Sequence, residues 1–93
     1  MIHYTVKANK PYLLASILVD MRIPFEFNPT KKYGIKKWKN GYNGSVFEID
    51  LLKDGEGPNP DSREASLADI MYNISQRPNG TSFELTIISQ YEY

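Results

Sequence analysis

The segment from residue 31 to residue 42 carries the side chains that could bind a polyanion. It holds five lysines, two tyrosines and the only tryptophan of the chain, with no acidic residue among them. Lysine side chains neutralise phosphates and release counterions, and aromatic rings stack on unpaired bases at about 1–3 kcal/mol each. The candidate binding residues are Lys31, Lys32, Tyr33, Lys36, Lys37, Trp38, Lys39 and Tyr42.

The same segment fits two other interpretations. Seven acidic residues but only two basic ones lie between Glu48 and Asp69, although the whole chain has a formal net charge of zero. A neutral chain with separated charges can still steer a charged partner to one side, so the lysines could meet an acidic protein surface. The alternative without a ligand is a solvated hairpin whose aromatic rings pack on the chain's own core.

The sequence offers few candidates for catalytic residues. His3 is the only histidine, and it belongs to the polar face of the first predicted strand, where a solvated or hydrogen-bonded role is the usual one. Glu48 and Asp50 share a strand face, about 7 Å apart by strand geometry, and such a pair could divide acid and base roles or hold a divalent cation. We expect a solvated face instead, and no enzymatic activity.

Cofactor and metal signals are weak. Asp54 and Glu56 resemble a fragment of a cation loop, but the remaining oxygen ligands and their spacing are missing. The chain has no cysteine, which excludes disulfides and thiolate ligands and favours a reducing compartment. No phosphate-binding glycine loop, zinc spacing or serine elbow is present. We therefore expect no cofactor and no metal.

Alternating and helical hydrophobic patterns predict the elements. Residues 2–8, 23–27, 46–51 and 81–93 alternate as strands do. Apolar residues at helical spacing predict one helix ending near Met21 and a second over residues 67–74. Asn9 is the expected cap of the first helix, and the second is expected to begin with a capping box over residues 61–64 or with a cap at Asn59.

The order strand, helix, strand, strand, helix, strand predicts an α+β domain with the ferredoxin-like split βαβ plan. In this plan an antiparallel sheet carries two helices on one face. We expect a single domain over residues 1–93, with an extra β-hairpin near residues 35–47. The first and last strands are expected in the middle of the sheet. Tyr91 and Tyr93 are expected on the inward side, in continuation of Phe83, Leu85 and Ile87.

These patterns support two functional hypotheses. In the first, a small non-enzymatic regulatory protein engages RNA, or a protein that handles RNA, through the basic aromatic hairpin. In the second, an inhibitor or adaptor of the kind that phages encode binds a host protein directly through an edge strand or an aromatic patch. A small carboxylate-dependent enzyme is a minor alternative. An edge strand could also pair two copies into a homodimer. No apolar run is long enough to cross a bilayer, and we expect a cytoplasmic location without membrane partners.

Overall fold

The structure is a computed structural model that describes residues 1–28, 46–59 and 61–93. Its elements in chain order are β1 (Ile2–Ala8), α1 (Pro11–Asp20), β2 (Phe25–Asn28), β3 (Val46–Leu51), α2 (Leu67–Ser75), a short 3₁₀ turn (Pro78–Gly80) and β4 (Leu85–Glu92). The four strands form one antiparallel sheet. The predicted α+β class is confirmed, and the arrangement is compatible with the ferredoxin-like split βαβ plan.

The sheet has the strand order β2-β3-β1-β4. Each helical connection therefore skips one strand: α1 joins β1 to β2 across β3, and α2 leads from β3 to β4 across β1. The prediction that the last strand lies in the middle is wrong, because β3 occupies one side of β1 and leaves β4 to pair with the other. Among the four described strands, β4 is consequently an edge strand.

One face of the sheet carries the core. Tyr4, Val6 and Ala8 of β1 are buried together with Phe47, Ile49 and Leu51 of β3. Both helices pack their apolar stripes on this face, and within residues 1–28, 46–59 and 61–93 no helix lies on the opposite face. The helix residues buried there are Pro11, Leu13, Leu14, Ile17 and Leu18 of α1 with Ile70 and Ile74 of α2. We call the helix-free side the open face.

An irregularity in β4 changes which side chains reach the open face. Thr5 pairs with Ser89 but Val6 pairs with Ile87, so Ile88 is an extra residue in the ladder. Directly paired residues in an antiparallel sheet share a face, and an extra residue exchanges the faces beyond it. Ile87 therefore lies on the helix side with Val6, whereas Tyr91 lies on the open face opposite His3. The prediction that Tyr91 and Tyr93 continue the inward side is therefore wrong: the irregularity moves Tyr91 to the open face, and Tyr93 hydrogen-bonds Asp50 on that same face.

The caps of both helices differ from the prediction. α1 follows Lys10 without a side-chain cap. Asn9 instead joins the end of β1 to the chain before β4, because its side chain donates to the Ser82 carbonyl at 2.7 Å and accepts from the Glu84 amide at 2.8 Å. Pro11 lies in the first turn of α1, where its missing N–H leaves no donor unpaired.

The cap of α2 lies later in the chain than expected, in a capping box built from Ser66 and Asp69. The Ser66 hydroxyl accepts from the Asp69 amide at 3.2 Å, and Asp69 Oδ2 accepts from the Ser66 amide at 2.9 Å. Ser66 is buried and its neighbour Ala65 accepts a hydrogen bond from the Leu52 amide at 2.8 Å. Tertiary pairing with the end of β3 thus determines where the cap lies. The predicted caps, a capping box over residues 61–64 or Asn59, are both wrong.

Replacing Ser66 with alanine is expected to lower the free energy of unfolding by about 1–2 kcal/mol, because the Asp69 amide loses the hydroxyl that accepts its hydrogen bond and Asp69 Oδ2 loses the hydroxyl that donates to it. Ser75→Ala is the matched control at the other end of α2, where an exposed hydroxyl donates to the Tyr72 carbonyl, and should cost less than about 0.5 kcal/mol. Urea unfolding followed by circular dichroism measures both. Equal losses in the two variants would contradict the buried capping box.

The predicted extra hairpin near residues 35–47 lies outside the described residues, except for its last two positions. Val46 and Phe47 belong to β3.

Candidate functional site

The eight binding residues predicted from the sequence fall in a part of the chain that the structure does not describe. They are Lys31, Lys32, Tyr33, Lys36, Lys37, Trp38, Lys39 and Tyr42. Among the described residues, the candidate site comprises the open face and the two edges of the sheet.

His3 is the centre of a polar cluster on the open face. Its Nδ1 lies 2.9 Å from Asp50 Oδ1, and its Nε2 lies 3.4 Å from Glu48 Oε1. The strand register produces this arrangement, because His3 pairs with Asp50 and Thr5 pairs with Glu48 across β1 and β3. Both ring nitrogens thus face carboxylates, a relationship that the sequence pattern did not reveal.

The cluster shifts the pKa of its members in complementary directions. For His3 the hydrogen bond with Asp50 has the largest influence and raises the pKa; burial opposes it and Glu48 adds to it, with a net rise above the ordinary value of 6.5. Burial raises the pKa of Asp50, but hydrogen bonds with His3 and Tyr93 outweigh it and bring the pKa below 3.8. The pair therefore favours an imidazolium beside a carboxylate.

Two tyrosines from the end of β4 lie over this cluster. The ring of Tyr91 stacks on His3 with a centroid distance of 5.1 Å and an interplanar angle of 27°. Tyr93 lies beside Tyr91 at 6.0 Å, and its hydrogen bond with Asp50 raises the pKa of the phenol. More than half of each tyrosine stays exposed, 59% for Tyr91 and 64% for Tyr93. Histidine, carboxylate and aromatic rings therefore form one accessible patch.

The patch occupies only one end of the open face. Thr5, Lys7 and Val46 at the other end are 3%, 9% and 2% exposed, whereas the Asp50 side chain is 52% exposed. A shallow cleft of about 320 Å³ adjoins the patch on the side of β2. Its lining residues are His3, Pro24, Phe25, Glu26, Glu48 and Asp50.

The geometry of the His3 cluster does not favour acid–base catalysis. Both nitrogens of His3 already face carboxylate oxygens, so the ring can take a proton from a substrate only after one of these contacts breaks. Among the described residues, no group of three or more His, Asp or Glu side chains is placed to hold a metal ion. The cluster is best suited to fixing the positions of β1, β3 and the Tyr91–Tyr93 end of β4.

The outer edge of β4 is the second feature of the site. No other strand of the described chain pairs with this edge. The strand is eight residues long, and its only charged residue is the terminal Glu92, which forms an ion pair with Lys53. Ile87 is 42% exposed although it lies on the helix side. A long, nearly uncharged edge strand is an unpaired template for another chain.

The opposite edge is protected. In the described part of the chain, which stops at Asn28 on this side, β2 has four residues, follows Pro24 directly and carries the charged Glu26. Short length, proline and charge are the devices by which proteins discourage pairing at an edge. β4 has one such device, the irregularity at Ile88, which divides its edge into a Leu85–Ile87 part and a Ser89–Glu92 part. Among the strands that the structure describes, β4 therefore offers the more accessible edge to a partner.

No family model, curated protein or solved structure matches the chain. What can be assigned is the class of domain, a small α+β fold compatible with the split βαβ plan. Within residues 1–28, 46–59 and 61–93, no helix has the length and apolar character needed to cross a bilayer.

Proposed function

We propose that this is a non-enzymatic binding protein whose partner is another protein, and that the partner adds an extended segment to the outer edge of β4. The observation that carries the proposal is the contrast between the two edges within the described residues: β2 is four residues long, follows a proline and carries a charge, whereas β4 is eight residues long and nearly uncharged. Strand addition takes its affinity from main-chain hydrogen bonds and its specificity from alternate side chains. Such a protein would act as an inhibitor or adaptor, of the kind that phages encode against host proteins.

The exposed rings of Tyr91 and Tyr93 support the same proposal. Tyrosine is among the residues that contribute most to binding energy in protein interfaces, and the two rings flank the part of the edge that follows the irregularity. The contacts of Tyr91 with His3 and of Tyr93 with Asp50 hold these rings before a partner arrives. A preformed surface loses less conformational entropy on binding.

Capture from a lysate of the natural host cells tests the proposal. The tagged protein should retain one stoichiometric protein, and nuclease treatment of the lysate should leave that protein bound. The same captures with Ile87→Lys and Val19→Lys locate the contact, since both replace an exposed aliphatic side chain with a charge. Loss of the band in Ile87→Lys alone supports β4. The absence of any stoichiometric partner, or its retention by Ile87→Lys, counts against the proposal.

RNA remains the second candidate, through residues 31–42. Five lysines interleaved with three aromatic residues are its support. The open face of the sheet does not favour this ligand, because Glu26, Glu48 and Asp50 line its cleft and carboxylates repel phosphates. Any contact with RNA would therefore depend on the lysines of that segment.

If RNA is the ligand, the double variant Lys36→Glu and Lys37→Glu should weaken binding to single-stranded RNA at least roughly tenfold. It should also reduce the slope of log affinity against log salt concentration by about 1.4, because two phosphate contacts are lost. Fluorescence polarisation at several salt concentrations measures both quantities. Arg22→Glu with Arg63→Glu is the control with the same charge change. Equal effects of the two pairs would indicate a response to net charge only, and no effect of the lysine pair would end the hypothesis.

A further inference from the structure

The His3 cluster joins three strands through one side chain. Its ring bridges Asp50 and Glu48 of β3, and its plane supports Tyr91 of β4. Neutral imidazole has a single N–H, so it can donate to only one of the two carboxylates and must turn a lone pair towards the other. Protonated imidazole donates to both. The geometry observed for His3 is therefore best satisfied when the ring carries a proton.

The charged and aromatic groups around His3 further favour the protonated form of its ring. Glu48 and Asp50 approach from β3, Glu26 of β2 lines the adjoining cleft, and Tyr91 and Tyr93 approach from β4. The Met1 ammonium also acts on Asp50, lowering its pKa. Removing the proton from His3 takes a positive charge out from between carboxylates, and it also ends the attraction between a cationic ring and the π-face of Tyr91.

We propose that His3 is a proton-operated clamp, which fixes the Tyr91–Tyr93 end of β4 on β1 and on the carboxylates of β3, and so controls how well ordered this edge is for a partner strand. The control of partner binding rests on the proposed function; the clamp itself is a property of the free protein. Binding at β4 is expected to be tighter when His3 is protonated.

The pH window follows from the sign of the shift. The pKa of His3 is raised in the folded protein, chiefly by the hydrogen bond with Asp50. A group with a raised pKa stabilises the fold fully below its unfolded value, here 6.5, and this stabilisation disappears as the pH rises through the folded value. The end of β4 should therefore loosen as the pH is raised from about 6 towards 8.

Because the chain has one histidine, NMR observes the clamp directly. The His3 ring carbon signal should titrate above pH 6.5 in the wild type. Asp50→Asn should lower this pKa, and Asp20→Asn, which removes a carboxylate paired with Arg77, should leave it unchanged. A wild-type value at or below 6.5, or equal shifts in both variants, would overturn the clamp.

Amide hydrogen exchange supplies the second readout. Protection factors of residues 89–92, which are corrected for the intrinsic effect of pH, should fall roughly tenfold between pH 6 and pH 8, as expected for loss of a hydrogen bond to a charged group. Those of β3 should stay constant. His3→Gln should remove the step, because glutamine does not titrate. A constant wild-type protection factor, or a step that persists in His3→Gln, would contradict the proposal.

Failure of the clamp and failure of the proposed function are distinguishable. Both NMR readouts use the free protein and do not depend on a partner. If capture at pH 6 recovers no partner, the proposed function fails while the clamp stands or falls on its own titration. If a partner is bound equally well at pH 6 and pH 8, the regulation fails and the binding function stands.

Discussion

Replacing Phe47 with alanine is expected to lower the free energy of unfolding by about 3–5 kcal/mol. The side chain is 0% exposed and it lies between the two aromatic residues of β2, with its ring centroid 4.5 Å from that of Phe27 and 5.8 Å from that of Phe25. The alanine variant would leave a cavity under an edge strand of only four residues. Since domains of this size have a total stability of about 5–15 kcal/mol, this loss would unfold a measurable fraction of the molecules if the wild-type stability lies at the lower end.

The control for this prediction is Phe47→Leu, which keeps most of the buried volume and should cost below about 1.5 kcal/mol. Urea unfolding at low temperature measures both variants, and near-ultraviolet circular dichroism reports the packing of the aromatic residues. Similar small losses in the two variants would mean that Phe47 is not enclosed by β2, and that the pairing of β2 with β3 is incorrect.

Replacing Ile87 with lysine is expected to weaken the captured partner's affinity at least about tenfold, or ~1.4 kcal/mol. Ile87 is exposed beside the outer edge of β4, and a lysine there is a device that natural sheets use to prevent pairing. The folded domain should tolerate the change, because the position is already 42% exposed. Isothermal titration calorimetry with the purified partner measures the affinity.

Val19→Lys is the matched control, since Val19 is an exposed aliphatic residue of α1 and the charge change is identical. It should leave the affinity within about twofold. Thermal unfolding of both variants verifies that the folds are intact. If both substitutions reduce the affinity equally, the partner responds to the charge of the protein and not to the edge of β4.

Strong local patterns in the sequence were sufficient for the fold class. The alternation in residues 2–8 and 46–51 and the helical spacing around Leu14 and Ile70 reflect burial of one face, and burial of one face is what the sheet and its two helices provide. The start of α2 was not predictable in the same way. Several residues before Leu67 can cap a helix. Ser66 becomes the cap because Leu52, at the end of β3, pairs with Ala65 and Ser66, and a sequence pattern does not reveal this long-range contact.

The contacts of His3 could not be predicted from the sequence either. The alternation of residues 2–8 placed His3 on a polar strand face, but the residues that it contacts depend on the register between β1 and β3. The place of Tyr91 depends on the extra residue Ile88 in the pairing of β4 with β1. A regular alternation puts Tyr91 inside, and only the long-range ladder reverses it. The basic aromatic residues 31–42 stay a prediction.

The central claim is that a protein partner pairs with the outer edge of β4. Amide hydrogen exchange of the isotopically labelled protein, measured with and without the captured partner, tests it most directly. In strand addition every second amide points towards the new strand, so we predict new protection at alternating residues within Leu85–Glu92 and none along β2. Unchanged exchange across β4, with protection appearing on β2 or on the helices, would contradict the account.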